Sequence, residues 1–392
     1  MDNMLFLNLS SEYLESKGAI HTAREICQQP LMWEKTYSIL LEAKDRLSNF
    51  FQKIWEVDQP LIIFAGAGTS AFIGETLAGP FQKKWGACCR AISTTDIVTH
   101  PENCFIKNRR TLLISFARSG NSPESLHTSV LARKYCDDLF ELNITCNPQG
   151  ALAKQEDNDN LYTVLLPEET NDVSLAMTSS YTSMLLAGLL LMHIREIEQL
   201  EPVVSKVCQM GDYILKEHLS GLKTISDMQF NRMVFLGSGP LFGVAHESHL
   251  KVQELSDGEI ICKFDSFLGF RHGPKAVVNN STVMVYLFSN KPYSNLYEFD
   301  LARSVITTAA GEKSIAIGNG NNEKEFCFDL SISFPKEINE LPEEFLSLFY
   351  VIPGQVIGFY KSLNLGLSPD SPSKSGAITR VVQGVNIYYP FE

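Results

Sequence analysis

Leu61 to Glu75 reads LIIFAGAGTSAFIGE. Its first residues are apolar, with β-branched and aromatic side chains, as in a buried strand. Gly66-Ala67-Gly68 then turns the chain, Thr69 and Ser70 follow, and a helical pattern begins. Strand, glycine turn and helix N-terminus in succession make an anion site. The first N–H groups of the helix lack intrahelical partners there, and the helix dipole favours negative charge.

Outward from this stretch the pattern alternates. Strands are expected at Leu61 to Ala65, Cys88 to Ser93, Arg110 to Phe116, Leu139 to Thr145 and Leu161 to Leu166, with helices over Ala71 to Trp85 and Pro123 to Tyr135. Such alternation implies βαβ units, a parallel sheet and helices on both faces. Ligands in such sheets bind beyond the carboxyl ends of the strands, where the loops richest in Gly, Ser and Thr fall. Long helices are expected at Thr178 to Gln199 and Glu201 to His218, with a domain boundary between about Pro202 and Lys223.

The alternation restarts after that connector. Asn231 to Leu236 runs into Gly237-Ser238-Gly239, and a helix covers Val244 to Asp257. Thr282 to Phe288 and Ser314 to Ile317 read as strands, Asn295 to Ala310 and Phe345 to Leu363 as helices. Strand, Gly-x-Gly and helix thus recur, which points to internal duplication of one α/β unit. The expected organisation is an N-terminal helical segment (1–45, within a helical pattern reaching residue 55 and divided at Pro30), two α/β domains (46–205 and 206–365) and a Pro/Ser-rich tail (366–392).

Length and composition fit this division. The chain has 392 residues, 44% hydrophobic and 20% charged, ordinary for two globular domains. Its net charge of −12 argues against a broad nucleic-acid surface. The nine cysteines are scattered without a Cys-x-x-Cys pair, as expected of reduced thiols in a cytoplasmic protein. The N-terminus lacks the basic region of a signal peptide, and the apolar run Met184 to Met192 is too short to span a membrane.

Gly66-Ala67-Gly68-Thr69-Ser70-Ala71 also satisfies the dinucleotide pattern Gly-x-Gly-x-x-Gly/Ala, but Asp96 comes late for the acidic residue that pattern needs. Hydroxyl density favours phosphate instead. A second loop carries Ser115, Ser119, Ser122 and Ser125 with Gly120 at its turn, so two loops at strand ends can wrap one phosphate. The competing reading is helix capping, since Ser122 precedes Pro123 and Ser125 follows at capping-box distance. In the second half, Glu247, Lys251 and Glu254 share one face of the helix HESHLKVQELSDGE. They read either as a solvated ion-pair stripe or, on a helix that opens at a ligand-binding edge, as proton-transfer groups. His246 and His249 are three apart and do not form a His-Glu-x-x-His motif, so no metal site is expected. His272, in the loop FRHGP, is aimed by the Gly273-Pro274 turn and suits a general acid/base.

GAGTSAFIGE, SFARSGNSPES, HESHLKVQE and FRHGP together resemble the double sugar-isomerase (SIS) domain family, over about Leu47 to Val385. The repeat is similar to the isomerase half of glucosamine-6-phosphate synthase. SFARSGNSPES, ITCNPQGALA, LAMTSSYTSM and TRVVQGV look most like the galactosamine-6-phosphate deaminase/isomerase group of amino-sugar catabolism, often labelled tagatose-6-phosphate ketose/aldose isomerases.

The resemblance implies two flavodoxin-like SIS domains. It implies that Gly68, Thr69, Ser70, Ser119 and Ser122 bind the sugar phosphate. Arg118 replaces a Gln of the synthases and Ala117 a Ser, which would add a charge to that grip. Glu254 falls on the proton-transfer glutamate, Lys251 and Glu247 on its helix neighbours, and His272 on the ring-opening histidine that the partner subunit supplies. Lys374 lies in the tail region where the synthases carry a Schiff-base lysine. With no amidotransferase domain before residue 50, glutamine is not expected as nitrogen source, which points to the catabolic direction. The implied enzyme is cofactor-free, acts on an aminosugar 6-phosphate, and is a homodimer or higher homo-oligomer with shared active sites and no nucleic-acid or membrane partner. The alternatives are isomerisation without deamination, a non-catalytic sugar-phosphate sensor, and an NAD enzyme.

Overall fold

A computed structural model describes residues 5–57, 59–308, 313–318, 327–382 and 384–388. It begins with a two-strand ribbon, β1 (Leu5–Phe6) and β2 (Leu9–Ser10), then helices α1 (Ser11–Lys17), α2 (Ile20–Cys27), α3 (Gln29–Glu42) and α4 (Lys44–Ile54). The helical stretch is divided beside Pro30, as expected: α2 ends at Cys27 and α3 begins at Gln29. Pro30 occupies the first turn of α3, where its missing N–H has no intrahelical acceptor to lose.

The first sheet contains β3 (Leu61–Gly66), β4 (Cys88–Ser93), β5 (Thr111–Ala117), β6 (Leu139–Thr145) and β7 (Leu161–Leu165), all parallel, in the order β4-β3-β5-β6-β7. Its connecting helices are α5 (Thr69–Trp85), α6 (Thr94–Thr99) and α7 (Pro123–Tyr135). β3 and β5 are buried along their whole length, which is why they read as unbroken apolar runs. Leu61, Ile63, Ala65 and Leu113 pack against Ile97 and Leu131 to form the core on one face.

Helix α8 (Ser179–Met192) is buried at every position, so the apolar run Met184 to Met192 is a core helix. No helix among the described residues is long and apolar enough to cross a membrane. α8 is shorter than the sequence pattern predicts. It stops at Met192, whose carbonyl accepts from the Trp85 indole N–H at 2.9 Å, and the chain continues as a 3₁₀ helix over Ile194–Leu200 with a non-helical Glu196. An outside donor on a terminal carbonyl lets a helix end without an unsatisfied group.

After α9 (Glu201–Glu217) and α10 (Leu219–Asp227) comes the second sheet: β8 (Arg232–Leu236), β9 (Ile261–Asp265), β10 (Thr282–Leu287), β11 (Lys313–Ile317) and β12 (Leu330–Ile332). The strands are again parallel, in the order β12-β11-β10-β8-β9. Read from the opposite edge, both sheets run second-first-third-fourth-fifth, the flavodoxin-like order. The repeat in the sequence is therefore a repeat of topology. Helices α11 (Leu241–Leu255), α12 (Phe267–Phe270) and α13 (Pro292–Thr308) connect these strands, and the expected extension of α13 to Ala310 falls outside the described residues.

The expected Phe345 to Leu363 helix is two helices, α14 (Glu343–Tyr350) and α15 (Ile352–Asn364), with Pro353 in the first turn of the second. The chain divides into two compact units. One comprises Leu31–Val173, Met177–Val204 and Ile378–Glu392 around the first sheet. The other comprises Met1–Pro30, Ser174–Ala176 and Ser205–Ala377 around the second.

Within the second-sheet unit, α15 packs closely on α11 through Gly354 and Gly358. A Cβ at Gly354 would lie 2.8 Å from the Ser248 Cβ, and one at Gly358 would lie 2.9 Å from Leu255 Cδ1 and 3.1 Å from the Lys251 carbonyl oxygen. Both helices are buried here, so neither can withdraw without opening a void. Gly358→Ala is expected to lower stability by roughly 1–3 kcal/mol through overpacking. Thermal and urea unfolding measure this, and an unchanged midpoint would show that the helices have room to spare.

Candidate active site

In the first-sheet unit the two loops expected to hold an anion leave adjacent strand ends, since β3 and β5 pair directly. At the end of β3, a Cβ on Gly66 would lie 2.4 Å from the Ser70 carbonyl carbon, and Gly68 has φ +53°. The turn is thus open only to glycine at both places. It delivers Thr69 and Ser70 into the first turn of α5, each only 4% exposed.

The loop from Arg118 to Ser122 leaves β5 and is pinned from the neighbouring β6 end. Asn147 Nδ2 donates to the Ser119 carbonyl at 2.9 Å, the Leu152 N–H to the Gly120 carbonyl at 3.1 Å, and the Ala151 N–H to Asn121 Oδ1 at 2.9 Å. Ser122 stands at the N-cap of α7, yet its hydroxyl makes no capping bond there and instead donates to Ser125 Oγ at 2.6 Å. Capping therefore does not account for the Ser122 side chain. Arg118 is buried, and its Nη2 donates to the Arg380 carbonyl. The structure brings Gly68, Thr69, Ser70, Arg118, Ser119 and Ser122 to one end of one sheet, between its first and third strands, where such sheets bind ligands.

The second-sheet unit repeats the turn but not the loop. A Cβ on Gly237 would lie 2.2 Å from the Leu241 carbonyl oxygen, and Gly239 has φ +57°. After β10, however, the groups that could meet an anion already meet carboxylates. The Ser289 N–H donates to Glu298 Oε2 at 2.9 Å, its hydroxyl donates to Glu343, and Asn295 Nδ2 donates to Glu298 Oε2 at 3.0 Å. Glu298 Oε1 is buried without a hydrogen-bond partner among the described residues. Burial pushes the Glu298 carboxyl up from 4.5 to about 7; the Ser289 and Asn295 bonds oppose this and the Glu343 charge adds to it.

Helix α11 opens at that second glycine turn and carries the carboxylates. Lys251 Nζ lies 2.6 Å from Glu254 Oε2 and 3.4 Å from Glu247 Oε1. The side chains of Lys251 and Glu247 are 1% and 0% exposed, that of Glu254 22%. This is no solvated stripe. A buried ammonium costs several kcal/mol unless paired, so Lys251 and its two carboxylates stand or fall together, with Glu254 held at the edge that water reaches. One turn earlier, His249 is pushed down to about 4 by burial, and the His246 ring stacks on Phe264 at 3.7 Å between centroids. These histidines serve packing.

His272 follows α12. Ser266 caps that helix by accepting from the Gly269 N–H at 3.1 Å, the His272 N–H donates to the Gly269 carbonyl at 3.0 Å, and Gly273 has φ +116°. The imidazole is exposed and makes no hydrogen bond or ion pair with the α11 carboxylates among the described residues. The Lys374 side chain is also exposed, and its backbone N–H donates to Asp257 Oδ2 at 3.1 Å. Sequence reading misses Arg380 and Glu298. Only the TRVVQGV stretch signals the first, as a lone cation in an apolar tail, and nothing in the local pattern of α13 marks the second.

Comparison with known proteins matches this architecture. The SIS domain model matches residues 57–194, the span of the first sheet and its two glycine- and serine-bearing loops. D-galactosamine-6-phosphate deaminase AgaS of Shewanella sp. (strain ANA-3) is 40% identical over 98% of this chain and 96% of its own length. The chain belongs to the AgaS family. Among solved structures, one from Clostridium novyi NT, described as a putative tagatose-6-phosphate ketose/aldose isomerase, is 38% identical, covers 98% of this chain and 99% of its own, and superposes with a TM-score of 0.92. The tagatose-6-phosphate ketose/aldose isomerase from Escherichia coli is 32% identical, with coverage of 94% and 96% and a TM-score of 0.84.

The raised Glu298 carboxyl has a measurable sign. The folded chain holds this proton more tightly than the unfolded one, so stability falls as pH rises from about 4.5 to about 7 and levels off above. The full span is worth roughly 3 kcal/mol. Glu298→Gln is expected to flatten that part of the stability profile, and an unchanged slope in equilibrium unfolding between those pH values would refute the assignment.

Proposed function

We propose that the chain converts galactosamine 6-phosphate and water into tagatose 6-phosphate and ammonia, without a cofactor, as a cytoplasmic homo-oligomer. The observation that carries this reading is the Lys251 pair of ion contacts: a rigid carboxylate, Glu254, held at the solvent edge of a helix by a buried ammonium. A proton-transfer base needs a fixed position and access to substrate, and this arrangement supplies both.

In this reading the loops of the first sheet hold the phosphate. Thr69, Ser70, Ser119 and Ser122 offer hydroxyls, the α5 N-terminus offers N–H groups, and Arg118 supplies charge. His272 of the partner subunit opens the sugar ring, giving the ring oxygen a proton as the C1 hydroxyl loses one. Glu254 takes the C2 proton and returns it to C1 through an enolamine, while O1 gains a proton and the nitrogen loses one as the C2 imine forms. The C2 imine that results adds water and releases ammonia, leaving a C2 ketone. Lys251 and Glu247 hold Glu254 in place.

The name of the Escherichia coli structure favours a second reading, ketose/aldose isomerisation of a 6-phosphate with no ammonia released. Purified protein separates the two. Ammonia and ketose in equal amounts from galactosamine 6-phosphate, with little from glucosamine 6-phosphate, is the expected result. Isomerisation of an unaminated sugar phosphate with no ammonia would replace the first reading by the second. In the same assay Glu254→Gln should lose about 10²–10⁴-fold in kcat and keep its KM; near-normal turnover would remove Glu254 as the base.

The trans placement of His272 has its own test. Glu254→Gln and His272→Ala proteins, each inactive, should regain about a quarter of wild-type activity when unfolded and refolded together, because mixed pairs contain one intact site. No recovery would place both residues in the same subunit's site.

A further inference from the structure

The cation of the phosphate loop is held by the C-terminal segment. Arg118 Nη2 donates to the backbone carbonyl of Arg380. The Arg380 side chain turns the other way, with Nε donating to the Asp172 carbonyl at 2.7 Å and Nη2 to Asn171 Oδ1 at 2.8 Å and the Asn171 carbonyl at 3.3 Å. All these residues lie in the first-sheet unit.

The post on which Arg380 hangs is rigid. The buried Asp172 carboxylate accepts from the Thr178 N–H at 2.8 Å, the Ser180 N–H at 2.9 Å, and the Ser179 and Ser180 hydroxyls at 2.5 Å each. These bonds close the N-terminus of α8, a helix buried at every residue. One chain of contacts thus runs from α8 through Asp172 and Arg380 to Arg118. A long side chain whose guanidinium is buried and bonded to a fixed carbonyl has lost rotamer freedom before a ligand arrives, which removes an ordering cost from binding.

We infer that Arg380 is a positioning residue of the phosphate site: the C-terminal segment latches Arg118 to the Asn171-Asp172 turn and so aims it at the anion. The inference rests on the reading of the Arg118–Ser122 loop as phosphate-binding. Arg380 acts through Arg118 and does not itself touch the phosphate.

The test measures competitive inhibition by inorganic phosphate, alongside kcat, KM and thermal unfolding, in the full-length protein. Arg380→Ala should raise KM and the phosphate inhibition constant about tenfold, with kcat changed by less than about threefold. Arg380→Lys should remain weak, because an ammonium cannot reproduce the forked contact. On an Arg118→Ala background, Arg380→Ala should add nothing further. If Arg380→Ala does not fold, Asn171→Ala removes only one acceptor and should weaken phosphate inhibition by about two- to fivefold. Phosphate inhibition that these variants leave unchanged, or losses at Arg118 and Arg380 that add in full, would overturn the latch while leaving the phosphate site standing. A wild-type protein that inorganic phosphate does not inhibit would overturn the phosphate reading and the latch with it.

Discussion

In each sheet the chain reverses direction after the second strand, so the loops that leave the first and third strands diverge. A parallel sheet with this order cannot fill the gap with its own backbone, and the first N–H groups of the next helices face into it. In the first-sheet unit the gap is lined with hydroxyls and Arg118. In the second-sheet unit the same glycine turn is kept, with Gly237 and Gly239 in place of Gly66 and Gly68, but the facing loop is met by Glu298 and Glu343. Duplication kept the geometry and changed its chemistry.

The second demand on the fold is electrostatic. Burying Lys251 is tolerable only because two carboxylates of its own helix reach it, and α11 can present them only while α15 lies against its other side. Gly354 and Gly358 make that approach possible. The helix that carries Glu254 is therefore fixed by packing on one side and by charge on the other, a division of labour that leaves only the Glu254 carboxylate at the solvent edge.

The central strands were legible because they are buried on both faces and read as apolar runs, and the glycine turns were legible because no other residue fits them. The duplication followed from both. The edge strand β9 was not seen: it is exposed at Ile261 and shows no clean alternation. The end of α8 at Met192 depends on the Trp85 indole, far away in the chain, and no local signal announces it. At the site, residues on one helix face or one loop were legible together, as Glu247, Lys251 and Glu254 were. Arg380 was not, because its role arises from the Arg118, Asn171 and Asp172 atoms it meets, which lie more than two hundred positions earlier in the sequence.

Glu298 gives the second crevice a particular standing. A carboxylate tethered nine residues from the N–H it binds meets it intramolecularly, with no partner to be drawn from solution. In that unit the N–H and hydroxyl at the end of the third strand are satisfied by the chain itself once it folds. In the first-sheet unit the Ser122 hydroxyl meets Ser125 and the Arg118 guanidinium meets a backbone carbonyl, with no such internal carboxylate in these bonds, so the two units differ in what fills the gap after the third strand.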